Sequence, residues 1–167
     1  AKMSKSKGNV VDPDYLIKTY GSDTSRLFSL FAAPPEKDLD WSDKGVEGAY
    51  RFLGRVWNLV FNNRESLRKN GSPVIGKKDL SGISDNGRDL LRKTHQTIKK
   101  VSTDIEKDFH FNTAIAALME LVNAMTGFEP DGDRDRQVFK FAVETTLLLL
   151  SPFTPHIAEE LYEALGN

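Results

Sequence analysis

The residues best suited to chemistry lie at the start of the chain, in the run Lys2-Met3-Ser4-Lys5-Ser6-Lys7-Gly8-Asn9. Lysine ammonium groups alternate there with serine hydroxyls, and Gly8 gives the backbone freedom to turn. A lysine is a mobile, strongly hydrated point charge, while hydroxyls and backbone N–H groups donate neutral hydrogen bonds. Such a loop suits a polyphosphate whose charge changes during a reaction. A solvated, frayed chain end is the alternative that the residues alone leave open.

A second candidate site is a set of arginines on one predicted helix. Arg51 and Arg55 are one helical turn apart, and Arg64 and Arg68 repeat that spacing. The resulting basic ridge predicts contacts with a nucleic-acid phosphate backbone, which fix position without reading sequence. A solvated helix face paired with nearby carboxylates is an equally good interpretation. A weaker basic set, interpreted as a plain exposed face, consists of Lys99, Lys100 and Lys107.

Aromatic and histidine side chains offer fewer sites. Trp41 and Trp57 can stack on bases, but their apolar neighbours at helical spacing favour packing in the core or at a junction. His156 precedes Glu159 and Glu160, yet no further histidine or thiol stands at ligand spacing. We therefore predict no metal site and interpret His156 as a packed or capping residue. The sequence identifies no partner for His95 and His110.

The composition narrows the class of protein that can hold these residues. The chain has 167 residues, of which 39% are hydrophobic and 28% charged, which suits one soluble domain or one domain with a small appendage. A net charge of −1 requires any site for a polyanion to be a local patch. The absence of cysteine excludes disulfides and thiolate sites. No apolar run approaches the roughly 20 residues of a membrane span, so a cytoplasmic protein is expected.

Helix start and stop signals are clear along the first third of the chain. Asp12 places a capping side chain before a proline, and Gly21 follows as a stop. Ser22 or Asp23 can cap a second helix, which Pro34 ends because proline has no N–H to donate.

Ser42 then predicts the start of a longer helix that reaches about Arg68. Its buried stripe is expected to include Leu53, Trp57, Val60 and Phe61. Later helices are predicted to begin at Ser84 or Asp85 and to cover 113–126, 134–150 and 157–165, with the apolar end 147–150 central in the core. No sustained period-two pattern predicts a strand. The sequence therefore predicts an all-α fold, an antiparallel bundle of four or five helices preceded by a short helical connector.

Several of these segments resemble a known family. Lys2 to Ser6 matches the KMSKS motif of class I aminoacyl-tRNA synthetases, and Tyr20 to Leu27 is similar to their YGADxxR helix entry. The block from Pro34 to Trp57 resembles leucyl-tRNA synthetases, whereas Thr154 to Leu161 resembles an ending that the isoleucyl and valyl enzymes share. The resemblance is dense over 2–57 and 147–165 and weak over 70–108.

The resemblance implies activation of leucine with ATP, accompanied by Mg²⁺ in the intact enzyme, and transfer of leucine to tRNA(Leu). Residues 2–6 would form the ATP loop, with Lys5 and Lys2 catalytic, Ser4 and Ser6 holding the loop and nucleotide, and Met3 packing the loop down. Lys5 would stabilise phosphate charge as the α-phosphorus is attacked. Arg26 would tie the connector to an acidic group or to the tRNA.

By the same resemblance, residues 1–41 would carry the ATP loop and connector, and 42–167 an anticodon-binding-type bundle. The remainder of the synthetase, its nucleotide-binding and editing domains, is the expected partner, so the fragment should be inactive and hold no ATP alone. Two alternatives stay open: an isolated tRNA-binding module, or a helical protein-interaction domain without catalysis.

Overall fold

The computed structural model of the chain describes residues 11–34, 36–37, 41–69 and 80–166, which contain helices and no strand. Helix α1 covers Pro13–Tyr20, α2 covers Ser22–Phe31 and α3 covers Asp43–Lys69. Helix α4 covers Asp85–Thr103 and continues into a π-helical turn over Asp104–Asp108. The last three helices are α5 over Phe111–Thr126, α6 over Asp133–Leu150 and α7 over Pro155–Ala164. The predicted all-α bundle with a helical connector is confirmed.

Local capping explains where several helices begin. The Asp12 side chain accepts a hydrogen bond from the Asp14 N–H at 3.0 Å, and Pro13 occupies the first position of α1. The Ser42 hydroxyl accepts from Gly45 at 3.2 Å at the start of α3. Helix α2 differs from the prediction, because its N-cap is Gly21 and no side chain caps it.

The start of α4 is built around a buried carboxylate. The Ser84 hydroxyl accepts from the Gly87 N–H at 3.0 Å and donates to Asp135 of α6 at 2.5 Å. Asp135 also accepts from the Ser84 and Asp131 N–H groups and is fully buried. Burial alone would raise the pKa of the Asp135 carboxyl, but these hydrogen bonds outweigh it and lower the pKa below its usual 3.8. The cap of one helix is therefore fastened to another helix.

The core lies among α4, α5 and α6, which contact one another along their lengths, with α2, α3 and α7 packed around them. Its side chains are mostly aliphatic, as the helical periodicity predicts. Its fully buried members on α4, α5 and α6 include Val101, Ala114, Ile115, Leu118, Leu121, Val122, Val138, Ala142, Val143 and Leu150. Helix α2 contributes Leu27 and Phe28, so the predicted connector and the bundle share one core.

Two expectations about apolar side chains were wrong. The end of α6 is not central all round, because Leu147 and Leu150 are buried while Leu148 is 58% exposed. On α3, Phe61 is 38% exposed, whereas Trp57 is partly buried and packs against the core, as its spacing predicts. Helix α5 also begins slightly earlier than predicted, at Phe111 rather than Thr113. No helix within the described ranges is long and apolar enough to cross a membrane.

Candidate nucleic-acid interface and connector junction

The predicted ATP loop, Lys2 to Ser6, lies outside the described residues. The described chain starts at Val11 and enters α1 two residues later. The site can therefore be built from the connector helices α1 and α2, the long helix α3 and the last helix α7.

The Asp23 side chain of α2 caps the start of α7 rather than the start of α2. Both oxygens of the Asp23 carboxylate are used: one lies 2.9 Å from Nδ1 of His156, and the other accepts from the Ile157 N–H at 2.7 Å. His156 and Ile157 lie in the first turn of α7. The N-cap residue of α7, Thr154, makes no capping hydrogen bond with its side chain. Because the first N–H groups of a helix lack intrahelical partners, Asp23 acts as the N-cap of α7 in trans.

Arg26 makes the complementary contact one turn further along α2. Its guanidinium donates to the carbonyl of Phe153 at 3.3 Å and to that of Pro152 at 3.2 Å. Those carbonyls follow the C-terminal end of α6, where a cation is favoured, just as an anion is favoured at the start of α7. The expectation that Arg26 contacts an acidic group was therefore wrong, since its partners are neutral carbonyls. Together Asp23 and Arg26 fix α2 to the corner between α6 and α7.

The four candidate arginines lie on two sides of α3 rather than on one ridge. An α-helix advances about 100° per residue, so the nine positions from Arg55 to Arg64 turn the second pair to roughly the opposite side. The contacts agree with this: Arg55 donates to Oδ1 of Asn123 on α5 at 2.7 Å, and Arg68 donates to the Ala164 carbonyl of α7 at 2.8 Å.

The remaining contacts of the four arginines are mainly with neutral groups. Arg64 donates to the Phe61 carbonyl at 2.6 Å and lies over the Phe61 ring, 3.9 Å from its centre, with Glu65 at 4.0 Å. Arg51 pairs with Glu47 at 3.7 Å, in an exposed position where such a pair contributes little. Because few of these nitrogens are held by carboxylates, the guanidinium groups keep capacity for an external anion.

Lys100, from the weaker basic set, and His95 each contact other residues of the fold. Lys100 contacts the carboxylate of Asp104 at 2.6 Å, and Thr113 donates to the same group at 2.5 Å. Burial alone would raise the pKa of Asp104, but these hydrogen bonds outweigh it and lower the pKa. The His95 ring packs against Phe141, with ring centres 5.3 Å apart. Among the described residues, no cluster of three or more histidine, aspartate or glutamate side chains could hold a metal ion.

A cleft of about 570 Å³ opens beside the Asp23 junction. It lies between the turn from α1 to α2, the middle of α3 and the first turn of α7. Its exposed lining residues include Tyr50, Gly54 and Asn58 of α3 and His156 and Glu160 of α7, and the partly buried Trp57 also lines it. Sequence reasoning missed this cleft, although the spacing of Tyr50, Gly54 and Trp57 along one helix face was visible in the chain.

Two family models and several curated proteins are similar to this chain. The model for the anticodon-binding domain of tRNA ligase matches residues 87–167, and that for class I tRNA synthetases (I, L, M and V) matches residues 1–42. The whole chain is 61% identical to a leucine–tRNA ligase of Geotalea daltonii and 56% identical to one of Syntrophobacter fumaroxidans, covering 20% of each. The chain thus spans about a fifth of the length of the curated relatives it matches.

Solved structures show the same similarity. An Agrobacterium radiobacter K84 LeuRS, solved as a ternary complex with tRNA and LeuAMS, superposes with a TM-score of 0.87 at 35% identity, over 99% of this chain and 21% of that one. A Mycobacterium tuberculosis methionyl-tRNA synthetase shares the fold with a TM-score of 0.75 at 23% identity, over 99% of this chain and 36% of that one.

Proposed function

We infer, since this chain belongs to the leucyl-tRNA synthetase family, that it joins the ATP loop of a leucine–tRNA ligase to a tRNA-binding helical bundle. The intact enzyme activates leucine with ATP, in the presence of Mg²⁺, and transfers it to tRNA(Leu). In this proposal Lys5 stabilises negative charge on the phosphates as the α-phosphorus is attacked, and Lys2, Met3, Ser4 and Ser6 complete the loop.

The observation that carries the proposal is the junction of Asp23 and Arg26 with the α6–α7 corner. Helix α2 begins 16 residues after the predicted loop, which ends at Ser6, and its two charged side chains bond to a corner more than 120 residues away. The two segments that resemble the family, 20–27 and 154–161, meet at this point. The junction therefore supports a role in which the bundle fixes the helices that follow the ATP loop.

The proposed division of the chain places the loop and connector in 1–41 and the bundle in 42–167. The capping of α3 by Ser42 supports a boundary there, because a new helix begins at that point. Helix α2 nevertheless shares its core with the bundle through Leu27 and Phe28. We therefore expect the two parts to unfold together.

The proposed tRNA contacts are Arg51, Arg55, Arg64 and Arg68. Because the two pairs lie on different sides of α3, they can be tested separately through the salt dependence of tRNA(Leu) binding by the chain. Replacing both members of a contacting pair with alanine should lower the magnitude of the slope of log affinity against log salt by roughly 1.5, since each phosphate contact contributes about 0.7 to 0.9.

Arg92→Ala is the matched control, because Arg92 is paired with Asp89 on the surface of α4. This variant should leave the slope unchanged. Salt-independent binding of tRNA(Leu), or no binding, would contradict the proposed tRNA role.

Catalysis is tested on the chain and on the intact ligase. The chain alone should give no leucine-dependent exchange of pyrophosphate into ATP, because it represents about a fifth of its relatives' length. The ligase that contains it should give full exchange. Exchange by the chain alone well above a blank, or none by the intact ligase, would contradict this function.

A further inference from the structure

Helix α3 carries two neighbouring faces. One is buried and mostly aliphatic: its residues are Val46, Ala49, Phe52, Leu53, Val56, Val60 and Leu67. The other, which we call the aromatic stripe, advances by four and three residues in turn, so its members share one side of the helix. The aromatic stripe consists of Tyr50, Gly54, Trp57, Phe61, Arg64 and Arg68, all partly or fully exposed. Trp57 packs partly against the core, but Tyr50 is 53% and Phe61 38% exposed, so packing leaves much of this second face uncovered.

The rings of the aromatic stripe are arranged along the helix. Tyr50 meets Tyr20 of α1 edge to face, with ring centres 5.7 Å apart. Trp57 stacks on Phe61 at 5.6 Å with an angle of 17° between their planes, and Arg64 covers the other end of this stack. Stacked aromatic faces followed by a guanidinium form the kind of platform on which unpaired bases stack.

Gly54 leaves a gap in the aromatic stripe between Tyr50 and Trp57. A Cβ atom built on Gly54 would meet no other atom within 4 Å, so the backbone of α3 is open to a ligand there. The gap coincides with the 570 Å³ cleft, which Trp57 and Asn58 also line.

Unused polar groups surround the gap. Within the described residues, the indole N–H of Trp57 and the hydroxyls of Tyr20 and Tyr50 have no hydrogen-bond partner. Glu160 of α7 adds a carboxylate that can accept from an amino group. An apolar cleft with a few convergent polar groups is typical of a binding site for a small flat ligand.

We propose that the cleft and the aromatic stripe bind an unpaired nucleotide of RNA. The base stacks beside Trp57 over Gly54, its edge bonds to Asn58 and Glu160, and the phosphates of the following nucleotides lie against Arg64 and Arg68. Arg64 lies about 10 Å from Trp57 along the helix axis, since each residue advances 1.5 Å. This inference rests on the proposed tRNA-binding function and assigns it a specific surface.

The chemistry of the exposed side chains favours RNA over a protein partner. The exposed lining of the cleft consists of Gly21, Tyr50, Gly54, Asn58, His156 and Glu160 rather than the aliphatic side chains that a helix-docking groove presents. The aromatic stripe ends in two arginines, one of which uses only its Nε, to bond to the Ala164 carbonyl. The two terminal nitrogens of Arg68 can therefore contact a phosphate in the bidentate manner.

The chain offers a direct reporter for this site, because it has two tryptophans. Trp41 packs edge to face on Phe28 and donates to Asp43, so Trp41→Phe removes it and leaves Trp57 as the sole tryptophan. Titrating this variant with a single-stranded RNA hexamer, and separately with an RNA duplex of the same length, measures stacking on Trp57. We expect the hexamer to quench Trp57 fluorescence and the duplex to leave it unchanged.

Gly54→Leu in the same background fills the cleft from an open position on α3. It should lower the affinity for the hexamer, measured by quenching of Trp57 fluorescence, at least fivefold. Gly48→Leu is the matched control, since Gly48 is on the same helix, meets nothing within 4 Å and does not line the cleft. It should bind the hexamer as the parent does. Circular dichroism of both variants verifies that α3 is retained.

The outcomes separate this inference from the proposed function. If tRNA(Leu) binds with a steep salt dependence but the hexamer fails to quench Trp57, or Gly54→Leu and Gly48→Leu bind it equally, the nucleotide site is overturned and the tRNA function stands. If Trp57 of the intact ligase is already shielded from acrylamide and insensitive to RNA, the surface belongs to a protein interface and the proposal is equally overturned.

Discussion

The junction between α2 and α7 makes a quantitative prediction for Asp23→Ala. This substitution removes the acceptor for the Ile157 N–H and the partner of His156. Loss of a helix N-cap costs about 1 kcal/mol, within a range of roughly 0.5 to 2. The second contact adds less, because the His156 side chain is 74% exposed and exposed ion pairs contribute at most about 1 kcal/mol.

The expected loss is therefore about 1.5 kcal/mol of the free energy of unfolding. For a domain of this size, that corresponds to a fall in Tm of roughly 3 to 6 °C. Thermal unfolding followed by circular dichroism measures the fall. Hydrogen exchange at the Ile157 amide tests its origin, because the amide loses its acceptor in the variant and should exchange faster.

Asp12→Ala is the matched control for this prediction. Asp12 also caps a helix with its side chain, but α1 buries no residue, so fraying of α1 should change global unfolding by less than about 0.5 kcal/mol. Equal falls in Tm for the two variants, or unchanged exchange at Ile157, would refute the assignment of Asp23 as the cap of α7.

Three further predictions follow from the helix caps, the buried carboxylates and the ATP loop. Gly87→Ala should destabilise the fold by about 1 to 3 kcal/mol, because a Cβ there would collide with the Asp135 carboxylate and lie 2.8 Å from Ile83. Gly48→Ala, the control, should stabilise the fold by about 0.5 to 1 kcal/mol, since nothing lies within 4 Å of its Cβ. Urea unfolding measures both changes. Because the folded pKa of Asp135 is lowered, its contribution is present above pH 3.8 and is lost as the pH falls through the folded pKa; Asp135→Asn should therefore flatten the acid limb of a plot of Tm against pH. In the intact ligase, Lys5→Ala should lower the adenylation rate far more than the affinity for leucine, and equal effects in pre-steady-state kinetics would contradict its role.

Features that depend on nearby residues were predictable from the chain. Asp12 and Ser84 cap the helices that follow them, so the signal and its effect lie within three residues of each other. The starts of α1 and α4 follow from the sequence for this reason. The contact between Ser84 and Asp135 and the burial of the Asp135 carboxylate could not be predicted in the same way, because Asp135 is 51 residues from Ser84.

Asp23 shows why the junction was missed. Its position at the start of a helix indicates a local cap, and the sequence contains no sign that its acceptors serve a helix 134 residues later. The acidic partner considered for Arg26 was wrong for a related reason, since an arginine suggests a carboxylate whereas carbonyls at a helix end leave no trace in composition.

The aromatic stripe shows the limit of periodicity. Trp57 and Phe61 fall at helical spacing beside Leu53 and Val60, so the pattern alone merges two faces into one broad apolar band. Only the packing of α3 against its neighbours shows that Leu53 and Val60 lie in the core whereas Phe61 is exposed and Trp57 is partly covered.

The bond between Asp23 and the Ile157 N–H also has a consequence during synthesis of the chain. The two residues are 134 positions apart, and a chain that grows at about 5 to 20 residues per second takes roughly 7 to 27 seconds to extend from one to the other. Throughout that interval α2 has no α7 to cap, and Arg26 has no α6 terminus to bind. We therefore expect α2 to pack first on α3 and α5, and its junction with α7 to form only after the last helix has left the ribosome, as a late step in assembly of the bundle.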